Sequence, residues 1–229
     1  MTTVAIIPAR KGSKRIKNKN ITLFNGKPMI YWTIKAAKKS KIFKKIYVDT
    51  DCKKIKKISI KFGAEVPKIR EKKFSGDKVS VNQSTYNFLN VLEKNCDFKI
   101  ENVVQLMPNC PFRNSRDIKF AYNKFLKNKK ISLISHVKFK FANPWWAVIK
   151  KKNNIFRIFN NAYKKNSQDL PELVCPSGAI WISNLKNFLK SKNFYGKNYS
   201  IYLLDWKNGI DIDTKEELNL SKDIIKLKR

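Results

Sequence analysis

Hydrophobic positions fall in short blocks that switch between a strand-like and a helix-like period. Val4 to Pro8 is continuously apolar and feeds a Gly, Ser and Lys-rich segment, Ala9 to Asn20, which predicts a buried strand followed by a loop. Pro28 opens Met29 to Lys39, where Ile30, Ile34 and Ala37 recur at helical spacing. Proline suits a first helical turn, since the N–H it lacks would have no partner there. Lys45 to Asp49 predicts a second buried strand, and Asp51 is placed to cap a helix whose apolar face carries Ile55, Ile58 and Phe62 and which Gly63 ends. The plan repeats with a helix over Thr85 to Glu93, a strand over Val103 to Met107 and a loop over Pro108 to Arg113. A helix from Ser115 then carries Ile118, Ala121, Tyr122, Phe125 and Leu126 on one stripe. Such alternation implies a mostly parallel sheet with right-handed crossovers and ligands at the carboxyl ends of its strands.

Between about Lys138 and Leu173 the pattern changes. The aromatic-rich segments Trp145 to Ile149 and Ile155 to Phe159 flank the polar stretch Lys150 to Asn154, which predicts a hairpin inserted into the domain. Exposed aromatics there suit a dimer contact, Trp145 and Trp146 above all. Gly178 to Ile182 reads as a returning strand, and Asp213 and Thr214 precede a final helix. The expectation is one α/β domain over residues 1–229, three-layered and Rossmann-like, with a small β insertion over about 138–173.

Charge sharpens the question of partners. With 50 Lys and Arg against 17 Asp and Glu the net charge is +33, so anions are attracted over much of the surface. The lysines are spread through every helix, among them Lys53, Lys57, Lys124, Lys129, Lys130 and Lys226, instead of gathering on one face. That spread argues for solvated surfaces and against a dedicated nucleic-acid interface. Cys52, Cys96, Cys110 and Cys175 are scattered without a C-x-x-C pair, and His136 is the one histidine, read as structural. A disulfide framework and a structural zinc site are thereby disfavoured, and a cytoplasmic protein with no membrane partner is expected, since no apolar run approaches bilayer length.

The loop after the first strand carries the clearest chemistry. Arg10-Lys11-Gly12-Ser13-Lys14-Arg15, then Lys17, Lys19 and Asn20, combine a glycine that lets backbone amides approach an anion with side chains that neutralise phosphate. Neither G-x-x-x-x-G-K-S/T nor G-x-G-x-x-G is present, which disfavours a P-loop ATPase and a dinucleotide-binding oxidoreductase.

Val4 to Asn20 with Gly26 to Ile30 resembles the opening of the acylneuraminate cytidylyltransferase family, which makes CMP-activated sialic acids. The resemblance runs on through Val48 to Asp51, Gly63 to Pro67, Arg70, Gln105 to Arg113, Ser167 to Glu172, Ser177 to Ile180 and Asp211 to Thr214, nearly the whole chain in order. It implies a fold of the nucleotide-diphospho-sugar transferase type and CMP transfer from CTP to a nine-carbon acidic sugar, an N-acylneuraminate cytidylyltransferase activity, in a homodimer. It also implies site roles. Arg10, Lys19 and Asp211 are expected at the reaction; Arg10, Gly12, Ser13, Asn20, Arg70, Ser80 and Gln105 at the nucleotide; Gln105, Gln168 and Ser177 at the sugar; and Asp211 and Asp213 on magnesium. Two acids two residues apart on an extended strand point the same way, as a hard cation shared with phosphate requires. Read without the family, the same pair is two solvated acids beside a helix start.

The chain also departs from the family. Asn109-Cys110-Pro111 stands where Thr-Ser-Pro is common, Ser177 where Asn precedes Gly-Ala, and Ser167 where some members have Arg. Ser13 to Ile16 resembles the pseudaminic acid branch, and Gly178 to Trp181 the neuraminic and legionaminic branches. The alternatives are a synthetase for pseudaminate, for legionaminate or for the eight-carbon acid of lipopolysaccharide, and, from another class, a nonenzymatic polyanion-binding protein.

Overall fold

A computed structural model describes residues 1–128, 131–140, 142–196 and 199–227, so that Lys129 and Lys130, read above with the helical lysines, lie outside the described residues. The first strand, β1 (Thr3–Pro8), is buried along its length. Its side chains alternate between two cores. Ala5 and Ile7 face one, Val4 and Ile6 the other. After it come the short antiparallel pair β2 (Leu23–Phe24) and β3 (Lys27–Pro28), helix α1 (Met29–Ser40), β4 (Lys45–Asp49), α2 (Lys53–Lys61), α3 (Val81–Asn95), β5 (Asn102–Gln105) and α4 (Ser115–Lys127). Then follow β6 (Ser132–Lys138), the hairpin β7 (Val148–Lys151) and β8 (Asn154–Arg157), β9 (Val174–Asn184), α5 (Leu185–Ser191), β10 (Ser200–Leu203) and α6 (Lys215–Lys226).

The main sheet has six strands in the order β10-β6-β9-β5-β1-β4. β1 runs parallel to β4 and β5, and β10 parallel to β6, whereas β9 is antiparallel to both β5 and β6. The sheet is thus mostly parallel with one reversed strand. One face packs Ile30 and Ile34 of α1, Ile55 of α2 and Ile118, Ala121 and Phe125 of α4; the other packs Phe88 and Leu89 of α3 and Leu185 and Phe188 of α5. Two helical layers on a central sheet are the three expected layers. Among the described residues no helix is long and apolar enough to cross a membrane.

Helix starts follow local chemistry. Ser80 and Gln83, Asn114 and Asp117, and Thr214 and Glu217 each form a reciprocal capping box at α3, α4 and α6. Gly63, at φ +87°, takes the left-handed turn that ends the segment after α2.

Several expectations are corrected. Asp51 does not cap α2, whose N-cap is Cys52 without a side-chain bond; its carboxylate instead accepts the Lys11 N–H at 2.7 Å. Leu126 lies off the buried stripe of α4 and is 45% exposed. Trp145 and Trp146 belong to a 3-10 turn, Pro144–Trp146, with the hairpin strands starting beyond them, because the Asn143 side chain caps that turn. Finally, Asp211-Ile212-Asp213 is loop and not strand.

Candidate functional site

At the carboxyl end of β1 the chain turns through Ala9 to Asn20 and walls a cleft of about 460 Å³. Three contacts shape this loop. Ala9 N–H bonds to the Asp49 carbonyl at 2.8 Å, the Asp51 carboxylate holds Lys11 N–H, and Asn20 Nδ2 donates to the Arg10 carbonyl at 2.9 Å. Asn18 takes a left-handed turn at φ 56°, which asparagine tolerates better than most residues, and delivers Lys19 to the cleft wall. Arg10, Gly12, Ser13, Lys14, Arg15, Lys19 and Asn20 line one side; Met107, Pro108 and Asn109, after β5, line the other.

The acidic pair arrives from the far end of the chain. Ile212, between the acids, is fully buried with Ile16 of the basic loop, Phe24, Met29 and Leu218 of α6. This small apolar cluster seats the carboxylates beside the cations. Lys19 Nζ lies 2.5 Å from Asp213 Oδ1, and Arg15 pairs with Asp213 Oδ2. The Ile212 N–H donates to the Asn109 carbonyl at 2.9 Å, while Asn109 Nδ2 donates to Oδ1 of both Asp211 and Asp213. Glu217 accepts the N–H groups of Asp213 and Thr214 at 2.7 and 2.8 Å, tying the pair to the start of α6. Gly178 on β9 gives the first acid its room, since a Cβ there would sit 3.0 Å from Asp211 Oδ2.

The two carboxylates ionise differently. Loss of surrounding water, then the charge of Asp213, raises the Asp211 pKa to about 6, a shift that solvent moderates because the residue as a whole is exposed. For Asp213 the desolvation works the same way, but the hydrogen bond and charge of Lys19, with Arg15, outweigh it and hold the carboxyl below its usual range. Across the cleft mouth Asp77 bridges Arg10 at 3.0 Å and Lys14 at 2.7 Å.

Arg10, Gly12, Ser13, Lys19 and Asn20 therefore share one cleft, and Asp211 and Asp213 stand behind its wall, joined to it through Lys19, Arg15 and Asn109. The remaining expected residues do not line it. Arg70 is buried against Asp49 in an ion pair of 2.7 Å and lines a separate cavity of about 500 Å³ beside α3. The Ser80 side chain caps α3. Gln105 is fully buried and accepts from Thr85 Oγ1 at 2.6 Å. Gln168 is exposed in the 3-10 turn Ser167–Asp169, and Ser177 is buried, its Oγ 3.1 Å from Ser135 Oγ. Two residues that matter were not singled out as site residues. Asn109 is visible in the sequence only as a departure from Thr-Ser-Pro, and Arg113 only as the end of the resembling block Gln105 to Arg113. Arg113 is buried under the cleft wall, where its NH1 donates to the carbonyls of Met107 and Ala179 at 3.2 and 2.8 Å, and burial lowers its pKa to about 10.

Residues that could hold a cation are few, and among the described residues no group of three or more His, Cys, Asp or Glu does so. The pair Asp211 and Asp213, turned onto one amide and beside Lys19 and Arg15, which bond Asp213, offers oxygens of the type a hard divalent ion takes alongside substrate and water. Asn109 Oδ1, buried beside them without a partner, adds an oxygen of the same type.

A basic loop at the carboxyl end of a central strand, beside a carboxylate pair, sits where an α/β protein with a mostly parallel sheet takes its ligand. Residues 4–170 match the family model for cytidylyltransferase, and the chain belongs to that family. It is 31% identical over 227 residues to the pseudaminic acid cytidylyltransferase of Campylobacter jejuni, with 99% of this chain and 97% of that protein covered. It is 31% identical over 235 residues to the CMP-N,N'-diacetyllegionaminic acid synthase of Legionella pneumophila, with 99% and 97% covered. Against the N-acylneuraminate cytidylyltransferase of Escherichia coli O18:K1:H7 the identity is 30% over 221 residues, 95% of this chain but 51% of that protein. The fold matches that of a CMP:2-keto-3-deoxy-manno-octonic acid synthetase solved with CTP, at a TM-score of 0.73 and 16% identity over 100% of both chains.

Proposed function

We propose that this cytidylyltransferase moves CMP from CTP to the anomeric hydroxyl of a nine-carbon acidic sugar and releases pyrophosphate. The observation that carries the reading is that Arg10 and Lys19 wall one cleft and that Lys19 joins this wall to the acidic pair through its 2.5 Å contact with Asp213. Arg10 and Lys19 neutralise the triphosphate, and the backbone around Gly12 and Ser13 approaches its oxygens. In-line attack on the α-phosphorus needs little covalent work from the protein, so holding the two substrates in register is the main contribution of these side chains. Magnesium on Asp211 and Asp213 would add charge neutralisation and acidify the attacking hydroxyl.

Among nine-carbon acids the proposal is pseudaminic or legionaminic acid ahead of N-acylneuraminic acid. What supports this is the full-length similarity to the Campylobacter and Legionella proteins, beside the half-length match to the Escherichia one. The protein is proposed to act as a cytoplasmic homodimer through the exposed apolar residues of the β7–β8 hairpin.

Pyrophosphate release with CTP and magnesium, measured against pseudaminic, legionaminic and N-acetylneuraminic acids, tests the reading. Turnover with one of the first two and little with the third is expected. No release with any of them, together with tight sequence-independent nucleic-acid binding at physiological salt, would favour a polyanion-binding protein instead.

A further inference from the structure

Asn109 occupies an unusual place in the acidic cluster. Its Nδ2 donates to Asp211 Oδ1, to Asp213 Oδ1 at 3.0 Å and to the Ile212 carbonyl at 3.4 Å. Two N–H bonds thus serve three acceptors, while Oδ1 of the same carboxamide is buried with no hydrogen-bond partner. The residue is 3% exposed, lines the cleft and has its own carbonyl fixed by Ile212 N–H at 2.9 Å, so neither solvent nor a shift of the backbone relieves that oxygen. A carboxamide presents donors at one end and acceptors at the other in almost the same shape, and a half turn about its last torsion exchanges them. Without a metal ion that turn would bring three oxygens together with only Lys19 and Arg15, both already bonded to Asp213, to offset them. With a cation between them it would present three hard oxygens, the ligand type that a small divalent ion takes.

We propose that Asn109 supplies, through Oδ1, a third protein oxygen to the cation held by Asp211 and Asp213, its carboxamide turning over as the ion enters. This rests on the magnesium reading given above and adds a ligand to it. Donation to the two aspartates is then the resting state of the free enzyme, in which Nδ2, together with Lys19 and Arg15 on Asp213, offsets the repulsion between the carboxylates. Asparagine serves both states. Threonine, common at this position in the resembling family, carries a single O–H on a shorter side chain, so it cannot bond both carboxylates at once as the two N–H groups of the carboxamide do.

The experiment measures binding of manganese(II), the probe ion, to the full chain without substrates by electron paramagnetic resonance, for the parent, Asp213→Asn, Asn109→Leu and Asn109→Asp. If Asn109 is a ligand, Asn109→Leu weakens binding by about tenfold or more, and Asn109→Asp keeps or tightens it. A residue acting only as an N–H donor competes with the ion for the carboxylates, so its removal in Asn109→Leu would leave affinity unchanged or raised, and that result overturns the proposal. Loss of binding in Asp213→Asn shows that the acidic pair is the site being read; unchanged binding there overturns the magnesium reading and this one with it. A second measurement needs no substitution that could disturb folding. During magnesium titration of ¹⁵N-labelled parent protein, the side-chain amide resonances of Asn109 are expected to leave their carboxylate-bonded positions, and resonances that stay in place at saturating magnesium overturn the proposal.

Discussion

Asp211 and Asp213 show how far two like residues diverge when their neighbours differ. Lys19 and Arg15 both reach Asp213 and hold it ionised, whereas Asp211 has Asn109 and the close backbone of Gly178 around it and is left with a pKa of about 6. The sign of the consequence follows from linkage. A carboxyl whose folded pKa lies above its unfolded value binds more protons in the native state, so its contribution is fully present below the ordinary carboxylate range and is lost as pH rises towards about 6. Asp213, with a lowered pKa, acts oppositely, and its contribution is lost as pH falls through its folded value. Urea unfolding of the chelator-treated protein between about pH 4 and 6 is therefore expected to show a declining component that Asp211→Asn removes. Solvent at the exposed Asp211 keeps that component small. An identical pH profile in the two proteins would assign the decline to other groups.

Elements were legible in the chain where their own apolar spacing marks them, as the stripe of α1 does. The four-residue capping boxes at α3, α4 and α6 are equally local, yet the spacing alone starts the third helix at Thr85, and α3 begins at Val81. Asp51 has the same local appearance as a cap, but Lys11 claims it from 40 residues away, a partnership that only the sheet creates. The basic loop and the acidic pair were legible as chemistry. Asn109 was not, because its role exists only where segments more than 100 residues apart meet. Nor was the Asp49–Arg70 pair, whose side chains are 2% and 5% exposed. Two predictions belong at this scale. Glu217→Ala removes the acceptor for Asp213 and Thr214 and should cost about 1 kcal/mol, while exposed Glu216→Ala should stay within about 0.5 kcal/mol. Chemical denaturation separates them, and equal effects would make Glu217 an ordinary surface acid. Arg70→Leu leaves Asp49 buried and unpaired and should cost about 3–5 kcal/mol, most of it recovered in the Asp49→Leu, Arg70→Leu double variant. Failure of the second substitution to recover stability would place Arg70's value in packing and not in the ion pair.

At the scale of the whole molecule the β7–β8 hairpin is the part that the fold does not cover. All eight residues of its strands are exposed, although Val148, Ile149, Ile155 and Phe156 are large and apolar. The register sets Ile149 directly across from Phe156, which gives one face of the ribbon an apolar pair, while Ile155 faces Lys150 on the other. A two-stranded ribbon with both faces in water is marginal by itself, and contiguous exposed apolar surface on an ordered element marks a contact. Net charge of +33 opposes association of copies, so the contact must be apolar enough to overcome that repulsion and should strengthen as salt screens it. The parent protein is expected to sediment as a dimer whose dissociation constant falls with added salt. Phe156→Glu puts a charge into the centre of the apolar pair and should give a monomer that keeps its far-UV spectrum, since the hairpin contributes none of the six strands of the main sheet. Asn153→Asp, in the turn between the two strands, lowers the net charge by the same single unit and should remain dimeric. A parent that sediments as a monomer, or a Phe156→Glu protein as dimeric as the parent, would remove the hairpin from the interface and leave its apolar face without this explanation.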